Sequence, residues 1–140
     1  MNNTAHSTNV QKVSNFLKEA GIFYLLTTND TQPKGRPFSF HMLENDTIYF
    51  ATVTFKNVYK QMLENPLVEI IATKETNFLR YDGTSVFAND EKLTKKVLEI
   101  MPEIKELYKD RSDFELTVFY LQNGNVEIRN MTEVIETFEI

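Results

Sequence analysis

The sequence predicts an α+β fold, mainly β: an antiparallel barrel with helices packed around its outside. Two observations predict it. Strand-like runs outnumber helical ones, and most successive strands are joined by short turns rich in Asn, Asp and Gly. Regular crossover helices, which a doubly wound parallel sheet requires, do not separate them.

The elements follow in order. A helix is expected from about Thr8 to Ala20, where Val10, Val13, Phe16 and Leu17 recur at helical spacing. Thr8 and Gln11 fit a capping box, and Gly21 is placed to end the helix. The residues before it are polar, and His6 is expected to lie in a disordered start. Ile22 to Thr28 reads as a strand, rich in β-branched and aromatic residues. Asn29 to Lys34 is turn chemistry. Arg36 to Leu43 alternates, with Phe38, Phe40 and Met42 on one face and Ser39 and His41 on the other. Glu44-Asn45-Asp46 turns the chain into a third strand, Thr47 to Thr52, and the three strands read as a meander.

Thr54 to Asn65 is a predicted helix, with Thr54 as N-cap and Pro66 forcing its end. Leu67 to Thr73 and Asn77 to Ala88 are strands, and Gly83 marks a bulge or a close backbone approach in the second. Asn89 or Asp90 caps a helix carrying Leu93, Val97, Ile100 and Met101, which Pro102 breaks. Ile104, Leu107 and Tyr108 suggest a further short helix. Phe114 to Leu121 is a strand, Gln122-Asn123-Gly124 signals a hairpin, and Val126 to Arg129 returns. Val134 to Ile140 is expected to add an edge strand.

Composition narrows the function. The 140 residues suit one domain, 1–140. There is no cysteine, which excludes disulfides and thiolate chemistry. No run of about 18 apolar residues is present, and Met1 to Asn9 lacks the features of a signal peptide, so no membrane association is expected and the cytoplasm is the default. A net charge of −5 argues against nucleic-acid binding, which relies on a basic surface.

Against that acidic background, the stretch from Lys56 to Pro66 stands out. Lys56 and Lys60 lie four residues apart, on one face at the start of a helix. Like charges at that spacing repel, and the helix dipole disfavours cations there. A bound anion would remove both penalties, aided by the free backbone N–H groups of the first turn. The alternative is a pair of solvated lysines. Arg36, which starts a strand before Pro37, can present its planar donor fork to a phosphate or to a polar ring edge; alternatively it pairs with an acidic neighbour. His41 has no second histidine at ligand spacing and is read as structural. Ser39 has no nearby base, so a Ser-His-Asp triad is not expected. No metal site is expected: Asp110, Asp113 and Glu115 do not match an EF-hand loop. Neither Gly-rich phosphate motif is present.

Together, several segments resemble the FMN-binding split-barrel proteins of the pyridoxamine 5′-phosphate oxidase-like superfamily, in particular its short members. They are Phe23-Tyr24-Leu25-Leu26-Thr27-Thr28, Gly35-Arg36-Pro37-Phe38 and Tyr49-Phe50-Ala51-Thr52, followed by the Lys56 to Pro66 helix, Val68-Glu69-Ile70 and Leu79-Arg80-Tyr81-Asp82-Gly83. The resemblance covers most of the chain and rests on the order and spacing of the pieces. It implies an antiparallel split β-barrel of Greek-key type, a homodimer, and flavin mononucleotide (FMN) bound between subunits. Arg36, Pro37, Phe38 and Ser39 would lie along the flavin ring. Thr52, Lys56, Asn57 and Lys60, with Gln61 close by, would hold the phosphate. Phe78 to Arg80 or Tyr108 would complete the pocket from the partner.

The resemblance further implies an FMN-dependent oxidoreductase acting on a small-molecule redox substrate, with NADH or NADPH as candidate electron donor. No catalytic acid or base is nominated. The superfamily also includes nitroimidazole-resistance proteins, flavin reductases, haem-handling proteins and deazaflavin users. The alternatives are therefore a non-catalytic flavin store, or a split barrel for haem or deazaflavin. Oxidation of vitamin B6 is not expected, because the tail Glu136-Thr137-Phe138-Glu139-Ile140 lacks the arginine-rich substrate motif. Phe78 stands where many short relatives carry tryptophan.

Overall fold

The computed structural model describes residues 3–140. Of the polar start, Met1 and Asn2 lie outside the described residues; the rest forms the first turns of a helix, α1 (Asn3–Ala20). His6 therefore lies in the helix rather than in a disordered start, and Thr8 is not a cap but lies inside the helix. Tertiary anchoring overrides the local signal: Ser7 Oγ donates to Asp46 Oδ2 at 2.6 Å, and His6 Nε2 lies 3.2 Å from the Asp46 carbonyl oxygen. Gly21 follows the helix with φ +79°, as a terminating residue should.

Eight strands form one antiparallel sheet: β1 (Phe23–Asn29), β2 (Gln32–Phe38), β3 (Met42–Glu44), β4 (Thr47–Val53), β5 (Leu67–Lys74), β6 (Asn77–Ala88), β7 (Leu116–Arg129) and β8 (Val134–Glu139). The ladder runs β2-β1-β5-β6-β7-β4-β3, and β8 pairs with β7 as an added edge. Helices α2 (Asn57–Glu64), α3 (Glu91–Ile100) and α4 (Glu103–Leu107) complete the chain. Among the described residues no helix is long and apolar enough to cross a membrane.

The expected three-strand meander is replaced by two hairpins at opposite ends of the ladder. The single strand read from Arg36 to Leu43 is two strands, β2 and β3, joined by Ser39, Phe40 and His41. Its even alternation misled because Phe38 packs on the main core, whereas Phe40 and Met42 pack in the smaller cluster on the other face of the sheet. Much of the turn read over Asn29 to Lys34 is β2 itself; the reversal takes only Asp30 and Thr31, with Asp30 at φ +60°. Asn45 and Asp46 both have positive φ, the requirement of a type I′ turn between β3 and β4.

The sheet is rolled. β1 and β4 are four ladder steps apart, roughly 19 Å in a flat sheet, yet the Phe23 and Phe50 rings are 5.8 Å apart. Phe23, Phe50 and Phe119 are fully buried at the centre with Leu25, Ile70 and Leu79. Val13 and Leu17 of α1, and Val58 and Met62 of α2, close over this core. A smaller cluster of Met42, Val97 and Val118 lies under α3. The Asp90 carboxylate caps α3, accepting from the Lys92 N–H at 2.9 Å. Among the described residues no ladder joins β2 to β3.

The hairpin expected at Gln122-Asn123-Gly124 is absent; β7 runs straight through as one 14-residue strand. Asn123 does adopt φ +56°, but it serves a bulge rather than a reversal. Asn123 and Gly124 together face the single Gly83, which is the bulge its glycine signalled. A Cβ on Gly83 would come within 2.9 Å of the Gln122 carbonyl oxygen, so no side chain fits.

Candidate functional site

Arg36 extends inward from β2 and is held on all sides by neutral acceptors. Its Nη1 donates to the Leu25 carbonyl at 3.1 Å and to Thr27 Oγ1 at 2.7 Å, while Nη2 donates to Gln61 Oε1 at 2.8 Å. The Thr27 hydroxyl in turn donates to Gln61 Oε1 at 2.6 Å. The three side chains close a ring that ties β1, β2 and α2 together. Arg36 therefore has no acidic partner among the described residues. Partial burial pushes its guanidinium down from the ordinary value, which raises the benefit of a nearby negative charge. Thr27 carried no sequence signal for this role.

The α2 helix starts later than read. Thr54 is not the N-cap: its N–H is taken by the Glu115 carbonyl at 3.0 Å, and a turn closed by Lys56 N–H to Val53 O at 3.1 Å uses up Thr54 and Phe55. Lys56 is the N-cap, with extended backbone and no capping side-chain hydrogen bond. The first N–H groups of α2 therefore lack an internal acceptor. Lys56 and Lys60 are not stacked on one helix face, because Lys56 precedes the helix; both still stand at its positive end. Lys56 Nζ lies 5.6 Å from the centre of the Tyr108 ring.

These residues border a cleft of about 360 Å³. β2 and β4 are five ladder steps apart, roughly 24 Å if flat, and only the rolling of the sheet brings them to one cleft. Arg36, Pro37, Phe38 and Ser39 form one wall, Thr52 and Lys56 another. Phe40, Met101, Ile104, Leu107, Tyr108 and Leu116 supply an apolar side that the sequence reading did not assign. Three of the nine nominated residues are not on the wall: Gln61 sits behind Arg36 as its anchor, and Asn57 and Lys60 are exposed on the first turn of α2. Tyr108 lines the cleft of its own chain. Phe78 lies elsewhere, its ring 5.9 Å from the Arg129 guanidinium.

The cleft joins cationic and hydroxyl groups at one end to an apolar flank at the other. Its volume falls in the usual range for cofactor sites, about 300–1,000 Å³. A planar ring carrying a phosphate fits that donor set. A second hollow of about 470 Å³, on the outer face of β5 to β8, is lined by Glu69, Asp82, Glu127 and Glu139 against the single cation Arg80, so it is net acidic and disfavours an anion.

Comparison with known proteins agrees with this geometry. A family model described as pyridoxamine 5′-phosphate oxidase matches residues 10–128. No curated protein matches the chain. Among solved structures, a NimC/NimA family protein from Clostridium acetobutylicum is 29% identical, with a TM-score of 0.82 over 94% of each chain. General Stress Protein 26 from Bacillus anthracis shares the fold at 14% identity and a TM-score of 0.68, covering 94% of this chain and 98% of that one. An FAD-binding protein from Mesorhizobium loti does so at 12% identity and a TM-score of 0.58, covering 86% and 94%.

Proposed function

Because the chain belongs to the pyridoxamine 5′-phosphate oxidase family, we propose that it is a cytoplasmic, single-domain FMN-binding protein that acts as an oxidoreductase on a small molecule. One observation carries the reading: the cleft combines a held arginine, a lysine at an uncapped helix start and an apolar flank. The FAD-binding protein of this fold from Mesorhizobium loti supports it. Arg36 to Ser39 would line the ring, and Thr52, Lys56, Asn57 and Lys60 would hold the phosphate. When bound, FMN supplies the electron-transfer chemistry. Arg36 then sets a fixed positive charge beside the ring, and Thr27 and Gln61 keep it from turning away. Phe40, Ile104 and Leu107 exclude water from the flank.

Two measurements test the reading. In a fluorescence-quenching titration, FMN is expected to bind at least tenfold more tightly than riboflavin, since a charge-assisted phosphate contact is worth about 1.5–3 kcal/mol. Equal affinities would remove the phosphate site. Anaerobic reduction of the loaded protein by NADH or NADPH, with re-oxidation by trial acceptors, then separates an enzyme from a flavin store.

We also propose that the protein works as a homodimer. Ile22, Tyr24 and Leu67, each at least half exposed, leave apolar surface on β1, β5 and the residue before β1. Burying such surface against a second copy is favourable. If each flavin touches both copies, FMN stabilises the dimer by mass action. Sedimentation of the apo and loaded protein over a dilution series is expected to show tighter association with FMN. A monomer that holds FMN at full affinity would sink the shared site.

A further inference from the structure

A second groove, of about 450 Å³, adjoins the cleft. Ser39, Phe40 and Met101 line both, so the two form neighbouring compartments separated by the link between β2 and β3. The far wall of the groove is the end of α1, with Leu17 and Lys18, and Ile100 of α3 forms its other side. His41 lies on its floor.

We propose that this groove is a ligand subsite for a small molecule with an apolar body and one anionic group. His41 is fixed rather than loose. Its Nε2 lies 3.1 Å from Ser14 Oγ, and its ring packs edge-on against the buried Phe23, with centroids 6.3 Å apart. Nδ1 has no hydrogen-bond partner among the described residues. Among the described residues Lys18, like most of the lysines, has no carboxylate within ion-pair distance, so its ammonium is left unneutralised beside the groove. The macrodipole of α1 accounts for a lysine at this place. It does not account for a held imidazole beside it, nor for Ile100 left 52% exposed at the rim. No carboxylate lines the groove, so a cation finds no counter-charge there. An anion finds the Lys18 ammonium, the Ser39 hydroxyl and an imidazole nitrogen, with apolar walls for the rest of the molecule.

That such an occupant exchanges electrons with a bound flavin rests on the function proposed above; that the groove binds it does not. Benzoate is a suitable probe, with benzyl alcohol as its uncharged counterpart. The chain has only two histidines, so their imidazole resonances are easily followed by NMR. Benzoate is expected to shift the His41 signals saturably, in the apoprotein and in the FMN-loaded protein alike, and to leave His6 unmoved. Lys18→Gln, an exposed change that spares the fold, is expected to weaken benzoate binding about tenfold. Benzyl alcohol should bind at least tenfold more weakly than benzoate. Unmoved His41 signals, indifference to Lys18→Gln, or equal binding of benzyl alcohol would each overturn the proposal. FMN titration of the same sample keeps the two readings apart. Saturable benzoate binding without FMN binding would uphold the groove and sink the flavin, and the reverse would do the opposite.

Discussion

Truncating Phe119 to Ala is expected to cost about 3–5 kcal/mol of stability, the range for large aromatic deletions in a packed core. Phe119 is fully buried on β7, the strand that pairs with β4 on one side and β6 on the other. Its ring centroid lies 5.5 Å from Phe50, 5.7 Å from Phe87 and 6.4 Å from Phe38. Those partners come from β4, β6 and β2, so this one ring holds both flanks of the roll and its open end. Aromatic pairs add about 0.5–1.5 kcal/mol each beyond the buried area, which places the loss in the upper part of the range. Chemical denaturation should show a lower midpoint with an unchanged slope. Phe119→Leu, which refills most of the volume, should lose much less. A loss below about 1 kcal/mol for the Ala variant would mean that the sheet does not close around this residue.

The second large effect is expected on cofactor affinity. Lys56→Ala should weaken FMN binding by about 1.5–3 kcal/mol, roughly ten- to hundredfold. Lys56 stands at the N-cap of α2, borders the cleft and lies over the Tyr108 ring. Its ammonium and the free N–H groups behind it act on the same anion. Lys60→Ala should cost less, because Lys60 is off the cleft wall. The apoprotein should change little in stability. Removing a cation from a helix start gains about 0.3–1 kcal/mol, and losing the contact of this exposed lysine with the half-buried Tyr108 ring costs about 0.5–1 kcal/mol. Calorimetric titration of both variants with FMN decides the matter. Unchanged affinity for Lys56→Ala would return that residue to the solvated surface.

What could be read in the sequence was local. Gly83 announced its bulge because a glycine inside a strand pattern has few other uses. Asp90 was one of two adjacent candidate caps, and it is the one that caps. Where local chemistry serves two purposes, the reading failed. Asn123 adopts positive φ as a hairpin would require, but the long β6 strand pairs on both sides of it and keeps β7 straight. The alternation across Phe38, Phe40 and Met42 continued through a change of strand and of core cluster, because apolar spacing records neither which neighbour is paired nor which cluster is filled.

The site divides in the same way. Arg36 and Lys56 were nominated from local chemistry, Pro37, Phe38, Ser39 and Thr52 only through the family resemblance, and all six line the cleft. The ring of Arg36, Thr27 and Gln61 was not legible, since it joins residues from three elements through contacts that no spacing rule encodes. Nor was the wall from Met101 to Tyr108, whose apolar residues look like any helix packed on a sheet.

The three-residue link between the two edge strands also bears on the order of folding. Every strand can pair with its neighbour in an unrolled ladder, but Arg36 and Thr52 then stay apart. The cleft is among the most non-local features of the chain, and non-local contacts form late because chain entropy must be lost first. An intermediate with all its hairpins in place would thus have nearly native secondary structure and no binding site. A ligand present during refolding could not guide the early steps. It could only trap the chain once the sheet had curled.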